Sequence, residues 1–145
     1  MIHTNDTCID VCNSLLRGEL SAVETYDQAL EKFTGSPENS ILQAIRRDHQ
    51  ESVSTLRSHL ADMGAKASDS SGIWGAFAKG VEGSAKVFGE SAALSALIAG
   101  EKSGVSDYES ALSDDEVMTE IKSAIRATLL PRLHEHVIEL ERLKA

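Results

Sequence analysis

Aromatic side chains make up only 4% of this 145-residue chain, which has just two prolines and two cysteines. With proline confined to Pro37 and Pro131, long uninterrupted helices are permitted. Cys8 and Cys12 stand four apart, one helical turn, and a reducing compartment would leave them as free thiols. They read either as a redox pair or soft-metal site, or as small packing residues, and packing is the expectation. No run of about 18 apolar residues occurs, so no membrane span is expected. Basic residues are few: 14 Lys and Arg against 23 Asp and Glu give a net charge of −9. That balance argues against a nucleic-acid or anionic-membrane partner, since both need a basic face. Met1 to Asp10 lacks a basic region followed by an apolar stretch, so no signal peptide is read and a cytoplasmic location is expected. No nucleophile with an adjacent base, phosphate loop or dinucleotide fingerprint appears.

The chain does have a globular balance of 41% apolar and 26% charged residues, at a length suited to one domain. Segment 6–33 carries a seven-residue pattern: Ile9, Cys12, Leu16, Glu19, Val23, Tyr26, Leu30 and Phe33 form one seam. Thr34-Gly35-Ser36-Pro37 ends that helix, and Pro37 suits the first turn of the next. Segment 37–63 continues with Ile41, Leu42, Ile45, His49, Val53, Leu56, Leu60 and Met63, and Gly64 stops it. A third helix over 91–112 has Leu94, Ile98, Glu101, Val105, Tyr108 and Leu112 in its seam. Ser113-Asp114-Asp115-Glu116 reads as a capping box opening a last helix over 114–143. Its seam is Met118, Ile121, Ile125, Leu129, Leu133, His136, Leu140 and Leu143. Pro131 inside it predicts a kink.

Residues 15–30, LLRGELSAVETYDQAL, align with 97–112, LIAGEKSGVSDYESAL, at eight identities in sixteen positions. Gly, Glu and Tyr coincide as well as the apolar residues, so helices one and three are structural equivalents. The expected fold is all-α: an up-down four-helix bundle of two repeated hairpins. The crossover 64–90 carries a short extra helix within 73–88 and is expected to bring helix three alongside helix one in the same direction.

Glu19, His49, Glu101 and His136 all fall on seams. A carboxylate facing an apolar core is costly unless paired or metal-bound, and two Glu with two His suit iron, manganese or zinc. Gly18 and Gly100 leave room beside each Glu.

The motifs LLRGELSAVETY, RRDHQESV, SSGIWGAFAKGVEG, GEKSGVSDY and LLPRLHEHV resemble the ferritin-like superfamily, and within it a bacterial family of ferritin-like domains of unknown function. The resemblance implies a di-metal carboxylate site on Glu19, His49, Glu101 and His136. Such sites place a bridging Glu three residues before each His. Here those positions hold Arg46 and Leu133, and Asp48 and Glu135 lie about 100° round the helix from that direction. One metal or none fits better than a ferroxidase pair.

Facing residues of an antiparallel hairpin are symmetric about its turn. Glu19 and His49 centre on residue 34, at the Thr34-Gly35 turn, so they face each other. Glu101 and His136 centre near 118–119, beyond a turn expected at 113–115, which sets His136 roughly 10 Å past Glu101 at 1.5 Å per residue. A longer connection or a Pro131 register shift would close the gap. Otherwise Glu101 faces Arg126 or Thr128 and forms a salt bridge. Three functions stay open: a metal-binding bundle, a metal-free structural or interaction bundle with a vestigial site, and a weak ferroxidase or peroxide-related oxidoreductase. Enzyme activity is the lesser expectation. Trp74, Phe77 and Phe88 on the crossover either cover the core or form a homo-oligomer interface. Glu82 reads as surface or as a reach toward the site.

Overall fold

The computed structural model describes residues 2–69 and 89–145, with side chains from residue 6 onward. All regular structure among them is helical: α1 (Ile2–Lys32), α2 (Asn39–Asp62), α3 (Glu90–Leu112), α4 (Thr119–Ala124), a π-helical turn (Ile125–Leu129) and α5 (Leu130–Lys144). The last three run on as one long fourth helix. No helix among the described residues is long and apolar enough to cross a membrane. The expected crossover helix, with Trp74, Phe77, Glu82 and Phe88, lies outside the described residues.

α1 packs on α2, and α3 on the fourth helix, as two hairpins. The first closes through a turn at 33–38 in which Gly35 takes a positive φ of 77°, a conformation that costs a residue without Cβ little. Pro37 lies in this turn, just ahead of α2 rather than in its first turn. Met118 is 38% exposed just ahead of α4, but most of the heptad residues pack into two apolar clusters. One gathers Cys8, Cys12, Leu16, Val53, Leu56, Leu60, Ala111 and Ile121; the other gathers Phe33, Leu42, Ile45, Leu94, Leu97 and Leu140. Both cysteines are free, fully buried packing groups. Burial and the neighbouring Cys8 push the Cys12 thiol up to about 12, so it is a neutral thiol at physiological pH.

The clusters also give the direction of α3. One joins the start of α1 to the end of α3, and the other joins the end of α1 to the start of α3. α3 therefore runs opposite to α1, which corrects the parallel arrangement expected from the repeat. The two hairpins are related by a pseudo-twofold axis across the bundle, and Asp62 and Glu90 lie at opposite ends of it. The return path begins along α1: Ser68 N–H donates to Asn13 Oδ1 (2.9 Å), Asn13 Nδ2 to Lys66 O (3.2 Å) and Arg17 to Ser68 Oγ (3.1 Å).

The fourth helix departs from expectation in two places. Ser113-Asp114-Asp115-Glu116 does not open it. Ser113 N–H still donates to Glu109 O, closing α3, and Glu116 N–H donates to Asp114 Oδ1 inside a turn. The helix begins at Thr119. Further on, Ile121, Ile125, Leu129 and Leu133 are spaced by four. In a regular α-helix each such step overshoots a full turn by about 40°. The π turn takes up this drift: Leu130 N–H donates to Ile125 O, five residues back, and all four side chains stay buried. Pro131, lacking an N–H, follows directly. A kink is expected at Pro131; the irregularity the structure shows is this wide turn just upstream of it.

Two helical glycines make a contrasting pair. A Cβ on Gly104 would stand 2.9 Å from Leu133 Cδ1, whereas one on Gly18 meets nothing within 4 Å. Replacing a mid-helix Gly by Ala gains about 0.5–1 kcal/mol. Gly18→Ala should therefore raise the urea midpoint. Gly104→Ala should show no gain or a loss, because overpacking a core costs about 1–3 kcal/mol. Equal gains from both would refute the tight α3–α5 packing.

Candidate metal centre

Between the two apolar clusters lies a buried polar layer. Glu19, His49, Glu101 and His136 are each no more than 4% exposed. Their placement follows from helical periodicity. Glu19 and Tyr26 are seven apart on one face of α1, as Glu101 and Tyr108 are on α3. Because α3 runs opposite to α1, the repeated Glu and Tyr pair crosswise. Tyr26 donates to Glu101 Oε2 (2.6 Å), and Tyr108 donates to Glu19 Oε2 (2.5 Å).

The histidines join the layer from the other two helices. His49 Nδ1 is 2.5 Å from Glu19 Oε1, and its Nε2 is 2.8 Å from Glu101 Oε2. His136 Nδ1 is 3.1 Å from Glu101 Oε1, and its Nε2 is 2.8 Å from Asp48 Oδ2. Glu19 thus faces His49, as the hairpin midpoint predicts. His136 also reaches Glu101, against the straight-helix count. A six-residue connection and the extra residue of the π turn shift the register, and both side chains lean toward their own N-termini, which brings them together across antiparallel helices. Arg126 is exposed on the π turn and is not the partner of Glu101. The Tyr26 and His49 rings stack with centroids 5.4 Å apart, and His49 and His136 are tilted at 4.9 Å.

Asp48, which the helical angle turns away from the direction of a bridging ligand, nevertheless closes the chain at the solvent edge, with 40% of its side chain exposed. The signal that could have found it is the antiparallel packing of α2 on α5, which brings a residue next to His49 within reach of His136. Beside it Arg132 donates to Ser52 Oγ (3.1 Å) and pairs with Glu51 (2.9 Å). The two positions three residues ahead of the histidines do not supply bridging carboxylates. Arg46 pairs with Asp27 at 2.6 Å, and Leu133 is core.

His49 lies between two carboxylates. Burial alone would favour its neutral form, but Glu101 and Glu19 outweigh burial and raise the ring to about 10. Burial pushes Glu101 up, and His49 with His136 more than reverses this, holding it at about 2. Burial, followed by the neighbouring Glu101 or Glu19, raises Tyr26 and Tyr108 well above the usual phenol range, so both remain donors. Three carboxyl groups meet two imidazoles here, a donor set that suits a divalent cation.

His49, Glu101 and His136 each offer one ligand atom within 4.8 Å of the others. Donors on opposite sides of one ion at about 2.0–2.2 Å stand about 4–4.4 Å apart. That is the widest spacing one ion allows; in a tetrahedral site the donors stand about 3.3–3.6 Å apart, so the side chains must draw in by up to about 1.5 Å to share one ion. A cavity of about 60 Å³ adjoins His49 and Glu101 between α1 and α3, lined by Gly18, Ala22, Gly100 and Gly104 together with Glu19 and the two tyrosines.

The sequence model of a family described as Domain of unknown function (DUF2383) matches residues 7–114. That stretch holds Glu19, His49 and Glu101 and stops ahead of His136. No curated protein and no solved structure matches the chain.

Proposed function

Starting from a chain that belongs to the DUF2383 family, we propose that it binds one divalent metal ion, iron, manganese or zinc, in the buried layer between its hairpins. The ligands are His49 Nε2, His136 Nδ1 and a Glu101 carboxylate oxygen. This two-histidine, one-carboxylate set suits those three ions. Glu19 sits on the far nitrogen of His49 and Asp48 on that of His136, where each carboxylate orients an imidazole and fixes its tautomer. The carrying observation is the convergence of three buried donor atoms within 4.8 Å. The repeated hairpins and the ferritin-like sequence resemblance support the same reading. The replacement of both bridging carboxylates by Arg46 and Leu133 weighs against a di-iron oxidase.

One observation favours a second reading, a metal-free bundle. Among the described residues no buried side-chain nitrogen or oxygen lacks a hydrogen-bond partner. The cluster then closes on itself, with the proton on His49 standing in for the cation.

Metal titration separates the two. Chelator-treated protein dialysed against ferrous, manganous or zinc ion should retain about one equivalent. At a hundredfold excess over Kd it should gain about 2.7 kcal/mol, a rise of roughly 5–10 °C in Tm for a chain of this size. Asp48→Asn should weaken binding about 10- to 100-fold. Less than a tenth of an equivalent, with an unmoved melting curve for all three ions, would establish the metal-free bundle.

A further inference from the structure

The crossed Tyr–Glu pairs use up carboxylate oxygens that metal ions would otherwise take. Glu101 Oε2 accepts from Tyr26 and also faces His49; Glu19 Oε2 accepts from Tyr108. Glu19 has its other oxygen on His49 Nδ1, so each of its oxygens already has one partner and only one lone pair left for an ion. Yet both glutamates line one cavity, together with both phenols. Its volume of about 60 Å³ exceeds the roughly 10–15 Å³ that a single water requires. The cavity therefore has room for an ion beside Glu19 and Glu101, although most of its lining is apolar.

We propose that Tyr26 and Tyr108 set the nuclearity of the site, holding it to one ion by occupying the carboxylate oxygens through which Glu19 and Glu101 would bind a second. The phenols act through the carboxylates and are not themselves ligands. The pseudo-twofold arrangement explains why there are two of them: each hairpin supplies the tyrosine that closes off the other hairpin's glutamate. Replacing Tyr by Phe keeps the ring and its packing while removing the one donor atom. It frees Glu19 Oε2 toward the cavity in Tyr108→Phe, and relieves Glu101 Oε2 in Tyr26→Phe. Bidentate or bridging carboxylate geometry then becomes available.

This inference rests on the single-ion reading above, and the experiment keeps the two apart. Wild type, Tyr108→Phe and the double variant are dialysed against manganous or cobaltous ion, and bound metal per folded chain is measured beside circular dichroism. The expected result is one equivalent for wild type, a second and weaker equivalent for Tyr108→Phe, and two for the double variant. No metal on wild type or variants would overturn the single-ion reading itself. One equivalent on wild type and on folded variants, with unchanged affinity, would overturn only the role given to the tyrosines. Two equivalents on wild type, or a phenolate-to-iron charge-transfer band on loading ferric ion, would overturn the proposal whether or not the variants fold. Should Tyr108→Phe fail to fold, Tyr26→Phe carries the same count, a second equivalent supporting the proposal and a single one with unchanged affinity overturning it.

Discussion

Glu101→Ala should cost more stability than any other single change in the polar layer, about 3–5 kcal/mol, and should abolish metal binding. Among the described residues, Glu101 alone has hydrogen-bond contacts to Tyr26, His49 and His136 together. Removing it strands a phenol and two imidazoles in a site where its own side chain is only 2% exposed. Breaking a buried ion pair from one side leaves the other charge uncompensated, which is the source of that magnitude. The loss is a large share of the 5–15 kcal/mol typical of a whole domain, and corresponds to a fall in Tm of roughly 6–20 °C. Glu101→Gln keeps the volume and should lose less stability, but should still fail to hold metal. Melting curves of metal-free proteins check this. A Tm for Glu101→Ala within about 3 °C of wild type would show that the layer contributes little to folding.

The second large effect is a pH dependence of the metal-free protein. His49 is raised from 6.5 to about 10, so its contribution to stability is fully present below about 6.5 and is lost as the pH climbs toward 10. Glu101 is lowered from 4.5 to about 2, so its contribution is present above about 4.5 and is lost as the pH falls toward 2. Stability of the chelated protein should therefore peak between about 4.5 and 6.5. It should decline above that window at no more than about 1.4 kcal/mol per pH unit from this one group. Metal-loaded protein should instead hold level over the same range, because His49 must release its Nε2 proton to bind an ion, so affinity rises with pH and offsets the decline. Urea unfolding at several pH values, with chelator and with metal, measures both slopes. A metal-free stability that is flat from pH 6 to 9 would mean that His49 carries no extra proton in the fold.

Much of the site is legible in the order of residues along the chain. The heptad seams alone turn Glu19, His49, Glu101 and His136 inward, because a 3.6-residue period leaves little freedom about which face is buried. The hairpin midpoint pairs Glu19 with His49, because a short turn between straight antiparallel helices sets the level of every facing residue. For His136 the same count misleads. The chain carries the sign of the irregularity, four seam residues from Ile121 to Leu133 in steps of four on either side of Pro131, and the π turn absorbs it.

What the residues determine by themselves is local and periodic: four helices, their buried faces, a duplicated hairpin, and two Glu and two His that need a partner inside. The tertiary structure decided the rest. The repeat makes helices one and three equivalent whether they run parallel or antiparallel, because similarity in sequence carries no direction in space. Only the packing of the two apolar clusters turned α3 around, and that reversal crosses the Glu–Tyr pairs. The register of the fourth helix brought His136 and Asp48 into the same layer. Contacts between helices depend on how far each slides and which way it points, and a seam read along one helix contains neither quantity.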